Sequence, residues 1–163
     1  MENIKNIIIA KFGEAAIVQE NTVGLQPSLQ VKTTLIAEIC QEIFQNPATF
    51  FDYLSCVTGI DNGPEIGTVE VIYHIYSIPF DKHLVLKVIE PRGDAQHLPS
   101  VPSVAGVWQT ANWHEREAYD LLGIHFEGHP DLRRILMPND WEGYPLRKDY
   151  EEQETYHGIK VAY

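Results

Sequence analysis

Cysteine is scarce in this chain: only Cys40 and Cys56 occur, sixteen positions apart and in no CxxC arrangement. Two thiols cannot supply the four thiolates of an iron–sulfur cluster or of a four-cysteine zinc site, so both are expected to be small buried hydrophobes in a reducing compartment. Long apolar runs are missing too. The longest, such as Ile7-Ile8-Ile9-Ala10, fall far short of the roughly 20 residues that cross a bilayer, and Glu2 follows Met1 where a secretory leader would be basic. A soluble, non-secreted chain is the expectation. Positive charge is also short, with 12 Lys and Arg against 23 Asp and Glu and a formal net charge of -11. Nucleic-acid binders draw their affinity from clustered cations, so nucleic acid is a poor partner. No GxGxxG follows a strand and no GxxxxGK occurs, which leaves NADH, flavin and ATP without an evident site.

What is present suits one globular core: 163 residues, 44% of them hydrophobic. Ile4, Ile7 and Ile8 recur at helical spacing over Glu2–Phe12, with Gly13 as terminator. Ala15–Glu20 and Ser28–Lys32 read as a hairpin about Gly24 and Pro27. Thr33 or Thr34 can cap a second helix through Leu35, Ile36, Ile39, Cys40 and Ile43, stopped by Pro47. Phe50–Gly59 is expected to be a short helical or irregular segment. Thr68–Ser77 and Lys82–Glu90 are rich in β-branched and aromatic residues and joined at hairpin length, so they predict two strands. In the first, Val69, Val71, Tyr73, Ile75 and Ser77 should face the core, and His74 belongs to the half-covered face.

The run from Pro91 to Pro102 is broken by prolines and a Gly-Asp pair, and predicts a loop between residues 1–102, an α/β domain, and residues 103–163. Ser103 can cap a short helix through Trp108, and Asn112 a longer one through Leu122, with Gly123 at its end. Beyond it, repeated Pro and Gly predict an extended, loop-rich tail that must lie on its own domain or on a partner. The fold class is therefore α+β: a small α/β domain with a mixed or antiparallel sheet flanked by helices, followed by that tail.

Charged groups concentrate around the last helix. Glu115, Arg116, Glu117 and Asp120 fall within two turns, and Arg116 and Asp120 are spaced to pair. An exposed pair of this kind is worth only a few tenths of a kcal/mol, so an interfacial or inter-segment network ranks ahead of a solvated face and of acid–base catalysis. His125 and His129 have the HxxxH spacing of a zinc pair, but Gly128 and Pro130 break the helix that would make them converge. Arg133, Arg134, Arg147 and Lys148 are the densest basic spots; partner docking ranks ahead of intrachain pairing. Trp113, Trp141, Tyr144 and Tyr150 interleave with them as core residues or interface anchors.

The order Glu115-Arg116-Glu117, then Tyr119-Asp120-Leu121-Leu122-Gly123-Ile124, Gly128-His129-Pro130, Leu132-Arg133-Arg134-Ile135-Leu136 and Trp141 through Tyr150 resembles the 30-kDa-type (C-type) subunit of respiratory complex I, NADH:quinone oxidoreductase. Phe51 to Ser55 and Thr58 to Asp61 resemble an earlier signature of the same family. The resemblance covers roughly residues 50 to 150. It implies a cofactor-free structural subunit of the peripheral arm of a proton-pumping translocase in the respiratory chain, with NADH, FMN, iron–sulfur clusters and quinone in partner subunits. It further implies as neighbours the large D-type subunit of the quinone module and the cluster-bearing B-type subunit. A place on the cytoplasmic side of the cell membrane, with membrane association only through the complex, is implied as well. Relatives of this family serve membrane-bound hydrogenases and other-donor dehydrogenases, so the donor stays open. Stopping soon after Lys148-Asp149-Tyr150, the chain is expected to lack a fusion with the large subunit. The residues implied in partner binding or structure are Glu115, Arg116, Glu117, Tyr119, Asp120, His129, Arg133, Arg134, Trp141, Arg147, Lys148, Asp149 and Tyr150.

Overall fold

A computed structural model describes residues 1–23, 26–94 and 97–161. The elements run α1 (Glu2–Phe12), β1 (Ile17–Asn21), β2 (Ser28–Val31), α2 (Ile36–Gln45), β3 (Tyr53–Asp61), β4 (Thr68–Ser77), β5 (Lys82–Pro91), β6 (Ser100–Pro102), α3 (Ala111–Leu122) and β7 (His125–Glu127). The short strands β8 (Thr155–Tyr156) and β9 (Ile159–Lys160) form a terminal hairpin. β1 to β5 make one mixed sheet in the order β1-β2-β5-β4-β3, with β2 parallel to β5 and the other pairs antiparallel. This is the α+β class expected.

Alternation along β4 decides which face of the sheet is covered. Val69, Val71, Tyr73, Ile75 and Ser77 are buried, and the intervening residues, His74 among them, are half-buried. Against the buried face lie Ile36, Ile39, Cys40 and Ile43 of α2 and Ile4 and Ile8 of α1. The same cluster takes in Val104, Trp108, Ala111, Leu122, Ile124 and Phe126, so residues on both sides of position 102 share one core. Trp108 fixes its indole by donating to the Phe51 carbonyl at 3.1 Å while its ring meets Phe44 edge-on. No helix among the described residues is long and apolar enough to cross a membrane.

Several local expectations are corrected. Phe50–Gly59 is not helical or irregular: its larger part is strand β3, because Tyr53 to Asp61 find β4 as a full-length antiparallel partner. Thr33 and Thr34 sit in a 3-10 turn at Thr33–Leu35 and give α2 no side-chain cap. Ser103–Trp108 makes turns rather than a helix; Val107 and Trp108 both donate to the Val104 carbonyl, while the Val104 N–H is drawn away to the Glu115 carboxylate. Asn112 lies inside α3, which starts at Ala111 after Thr110. The end of the proline-broken run is ordered as β6, parallel to β7. Cys56 is half-buried, its sulfur 3.4 Å from His74 Nδ1, because it occupies the less covered face of β3. Cys40 is buried as expected. The turn at Gly24 lies outside the described residues. α3 does end at Gly123, left-handed at φ 67° and ψ 40°.

Candidate functional site

The charged residues of α3 do not pair along the helix: Arg116 and Asp120 reach different stretches of the C-terminal segment, and Glu115 reaches the turn that precedes the helix. Asp120, fully buried, accepts at Oδ2 from the consecutive N–H groups of Ile135, Leu136 and Met137 at 2.9, 2.6 and 2.9 Å, and at Oδ1 from Arg134 at 2.8 Å. Three successive amides turned onto one oxygen make an anion nest. Burial alone would raise the Asp120 carboxyl, but the bonds from Met137, Leu136 and Arg134 outweigh it and hold the group below the usual carboxylate range. Arg134 also donates to the carbonyls of Asp120, Trp141 and Gly143. One guanidinium thus ties the helix to two carbonyls of one tail loop.

A second clamp centres on Asp61 at the end of β3. Arg92, which follows β5, holds it with Nε at 2.7 Å and Nη2 at 3.1 Å, and reaches Asp149 of the tail with Nη1 at 3.0 Å and with Nη2. The backbone N–H groups of Lys148 and Gly63 complete the Asp61 shell at 2.8 and 3.1 Å. Burial pushes the Asp61 carboxyl up, yet Arg92 and these two amides prevail and set it at about 2. The same carboxylates hold the Arg92 guanidinium well above its ordinary value. Lys148 Nζ lies 3.4 Å from the Asn62 carbonyl, exposed to solvent.

Between the two clamps, Arg147 caps the C-terminus of α3, donating to the Leu122 carbonyl at 2.7 Å and the Gly123 carbonyl at 3.4 Å. A cation is favoured there because the last carbonyls of a helix point outward with partial negative charge. The Tyr144 ring lies 5.2 Å from both the Arg134 and Arg147 guanidiniums. It also presses on Gly123, where a Cβ would stand 2.6 Å from the ring. Trp141 donates to the Tyr150 hydroxyl at 3.0 Å.

At the start of α3 the contacts are different. Glu115 is fully buried and accepts from Ser103 Oγ at 2.5 Å and the Val104 N–H at 2.7 Å. Burial pushes its carboxyl up to about 7 against those two bonds. His129 Nε2 stands 3.9 Å from the Glu115 carboxylate and donates to the Asn112 carbonyl at 3.1 Å; its Nδ1 accepts the Asp131 N–H at 3.0 Å. Those two bonds define a neutral ring, and burial keeps its pKa below the ordinary histidine value. Arg116 stacks on Trp113, donates to the Arg133 carbonyl at 3.2 Å and faces Asp131 at 3.8 Å.

Of the residues singled out in the sequence, Glu115, Arg116, Asp120, His129, Arg134, Arg147 and Asp149 thus enter this intrachain network through their side chains. Lys148 enters mainly through its backbone. Tyr119 is half-buried against the core, whereas Glu117 is exposed and Arg133 pairs only with Asp131 at the surface. Arg116 and Asp120 do not pair with each other, because each is taken by a different tail segment. For Arg134 and Arg147 the intrachain pairing ranked second is the one observed. The acid–base reading gains nothing: Asp61 and Asp120 have four donors each, and Glu115 and His129 have side chains of zero exposure, out of reach of a substrate. His125 is exposed on β7 beside Ser100, apart from His129, and no metal-holding group of three His, Cys, Asp or Glu occurs among the described residues. Arg92, Asp61 and Ser103 were not among the site candidates. Arg92 could have been noticed as a cation in an acidic chain beside a proline that ends a strand.

Fold and network together define a small α+β protein whose last quarter, beyond α3, is a largely extended segment fastened to the body by the buried carboxylates of Asp61 and Asp120. The chain belongs to the family of the respiratory-chain NADH dehydrogenase 30 kDa subunit, whose model matches residues 29–156. It is 47% identical over 162 residues to a protein of Chloroherpeton thalassium named as the C subunit of NADH-quinone oxidoreductase, covering 96% of this chain and 63% of that one. A protein of the same name from Chlorobium phaeobacteroides is 42% identical over 158 residues, covering 97% and 93%. Among solved structures, a chain of the membrane-bound sulfane sulfur reductase, an archaeal respiratory membrane complex, shares the fold with a TM-score of 0.72 at 24% identity, over 92% of this chain and 85% of that one.

Proposed function

We propose that the chain is a structural subunit of the peripheral arm of a proton-pumping NADH:quinone oxidoreductase, needed to assemble its quinone-reducing module. The observation that carries this reading is the identity of 47% and 42% to proteins named as the C subunit of NADH-quinone oxidoreductase. The network supports a scaffold role: carboxylates saturated with donors hold an extended segment in one shape and leave little free for chemistry. On this reading the chain has no active site of its own. NADH, FMN, iron–sulfur clusters and quinone belong to partner subunits, the nearest being the D-type and B-type subunits, on the cytoplasmic side of the cell membrane.

The test is removal of the chain from its host, scored by native-gel abundance of the complex and donor-to-quinone rate in the same membranes. Both should fall together and return with the wild-type chain. A complex of normal abundance without the chain would sink the assembly role.

A further inference from the structure

The five-stranded sheet has two edges, and they are treated differently. β1 is five residues long and carries Glu20, which is bonded to Lys5 of α1. β3 is nine residues long; its ladder is bulged between Leu54 and Cys56, and from Tyr53 to Ile60 it holds neither a charge nor a proline. Natural edge strands are normally shortened, charged or broken by proline, since their free N–H and C=O groups are a template for another strand. β3 pairs with β4 on one side only, and an antiparallel strand turns every second N–H and C=O away from its neighbour. The two ends of β3 are occupied. The Leu54 carbonyl takes the Thr110 hydroxyl at 3.5 Å, and Asp61 is closed by Arg92 and Lys148. The window between them is Ser55–Ile60, within which Ser55, Thr58 and Ile60 are exposed.

Beside that window lies a cleft of about 240 Å³ between β3 and α3. Cys56, Val57, Thr58 and Gly59 form one wall in unbroken succession. Side chains alternate between the faces of a strand, so four consecutive residues on one wall mean that the backbone edge itself is the wall. His114, Glu117 and Leu121 stand opposite, with Leu146, 59% exposed, at the rim. Glu117 is the single carboxylate in the cleft, and no Lys or Arg lines it among the described residues.

We propose that β3 seats an added strand: an extended segment of another protein, carrying Lys or Arg opposite Glu117, pairs with Ser55–Ile60 and lengthens the sheet. Strand addition takes affinity from main-chain bonds and specificity from alternate side chains entering pockets, and the cleft supplies such a pocket. A second copy of this chain is the poorer occupant, because two bodies of formal charge -11 repel. The inference rests on reading the chain as one component of a larger complex.

The measurement is amide hydrogen exchange of the fragment spanning residues 53–61, in the isolated full chain and in the membrane complex recovered through a tag on it. Alternate amides of Ser55–Ile60 should exchange at least tenfold more slowly in the complex, while those of β1 do not change. Glu117→Lys should lower the amount of recovered complex at least severalfold and leave the melting temperature of the isolated chain where it was. Unchanged exchange at β3 in a complex that contains the chain overturns the inference and leaves the reading as a complex component intact. Protection that appears in the isolated chain as its concentration rises assigns the edge to self-pairing and also overturns it. A chain that recovers no complex at all overturns both readings.

Discussion

The backbone N–H of Lys148 is bonded to the carboxylate of Asp61 at 2.8 Å, across 87 positions of sequence. The end of an edge strand and a turn of the tail are therefore one structural unit, closed by Arg92 between Asp61 and Asp149. Asp61→Asn leaves a buried guanidinium without its bidentate partner. Removing one member of a buried pair costs about 3–5 kcal/mol. The denaturation midpoint should drop accordingly, and proteolysis within residues 144–150 should accelerate. A loss below about 1 kcal/mol would mean that Asp149 alone can hold Arg92.

The same carboxylate sets an acid limit. Its pKa falls from 3.8 to about 2 on folding, so its stabilisation is complete above the unfolded value and is lost as pH falls through the folded one. About 2 kcal/mol should disappear between roughly pH 4 and pH 2. Unfolding curves of Asp61→Asn against wild type should converge in that window.

Glu115 acts with the opposite sign. Its pKa rises from 4.5 to about 7, so the folded state prefers the protonated form. The unfolded chain ionises first, and stability declines as pH climbs from about 4.5 to 7, by about 3 kcal/mol in all. Glu115→Gln should be near neutral at about pH 5 and should raise the melting temperature by several degrees at about pH 8. An equal effect at both pH values would show that Glu115 is not titrating in this range.

Adjacent arginines should separate cleanly. Arg134 bonds Asp120 and three carbonyls, whereas Arg133 is 68% exposed in its side chain and meets only Asp131. Arg134→Ala should cost about 3–5 kcal/mol and Arg133→Ala under about 0.5. If the Arg133 variant instead lowers complex abundance while the isolated chain keeps its melting temperature, its role is in a partner contact.

Two glycines offer a matched comparison, since both have positive φ, 67° at Gly123 and 78° at Gly128. A Cβ at Gly123 would strike the Tyr144 ring, whereas at Gly128 it meets nothing within 4 Å. Gly128→Ala should cost about 1 kcal/mol from backbone strain alone, and Gly123→Ala clearly more. Equal melting temperatures would mean that Tyr144 moves aside freely.

The three α-helices and the two longest strands were legible because their signal is local: period 3.6 in Glu2–Phe12 and period 2 in Thr68–Ser77. The segment around β3 was not, because its aromatic and polar residues do not alternate cleanly; its conformation comes from pairing with β4. The Glu115, Arg116 and Asp120 cluster could be read as a network, but not its wiring. Spacing along a helix suggests Arg116 with Asp120, whereas the folded tail brings Arg134 to Asp120 from fourteen positions away. The pairing of Arg92 was hidden for the same reason: its partners, Asp61 and Asp149, lie 31 and 57 positions off.

The long reach from Asp61 to Lys148 also bears on biosynthesis. Asp61 and β3 leave the ribosome long before the amide that completes their shell, by on the order of ten seconds at ordinary elongation rates. During that interval the sheet can form while its buried carboxylates still depend on water. The nascent body is therefore loosely closed in a way the finished chain is not. A ribosome stalled before residue 148 would hold a native-looking sheet with an unfinished seam, and a protease encountering it there would find its point of entry.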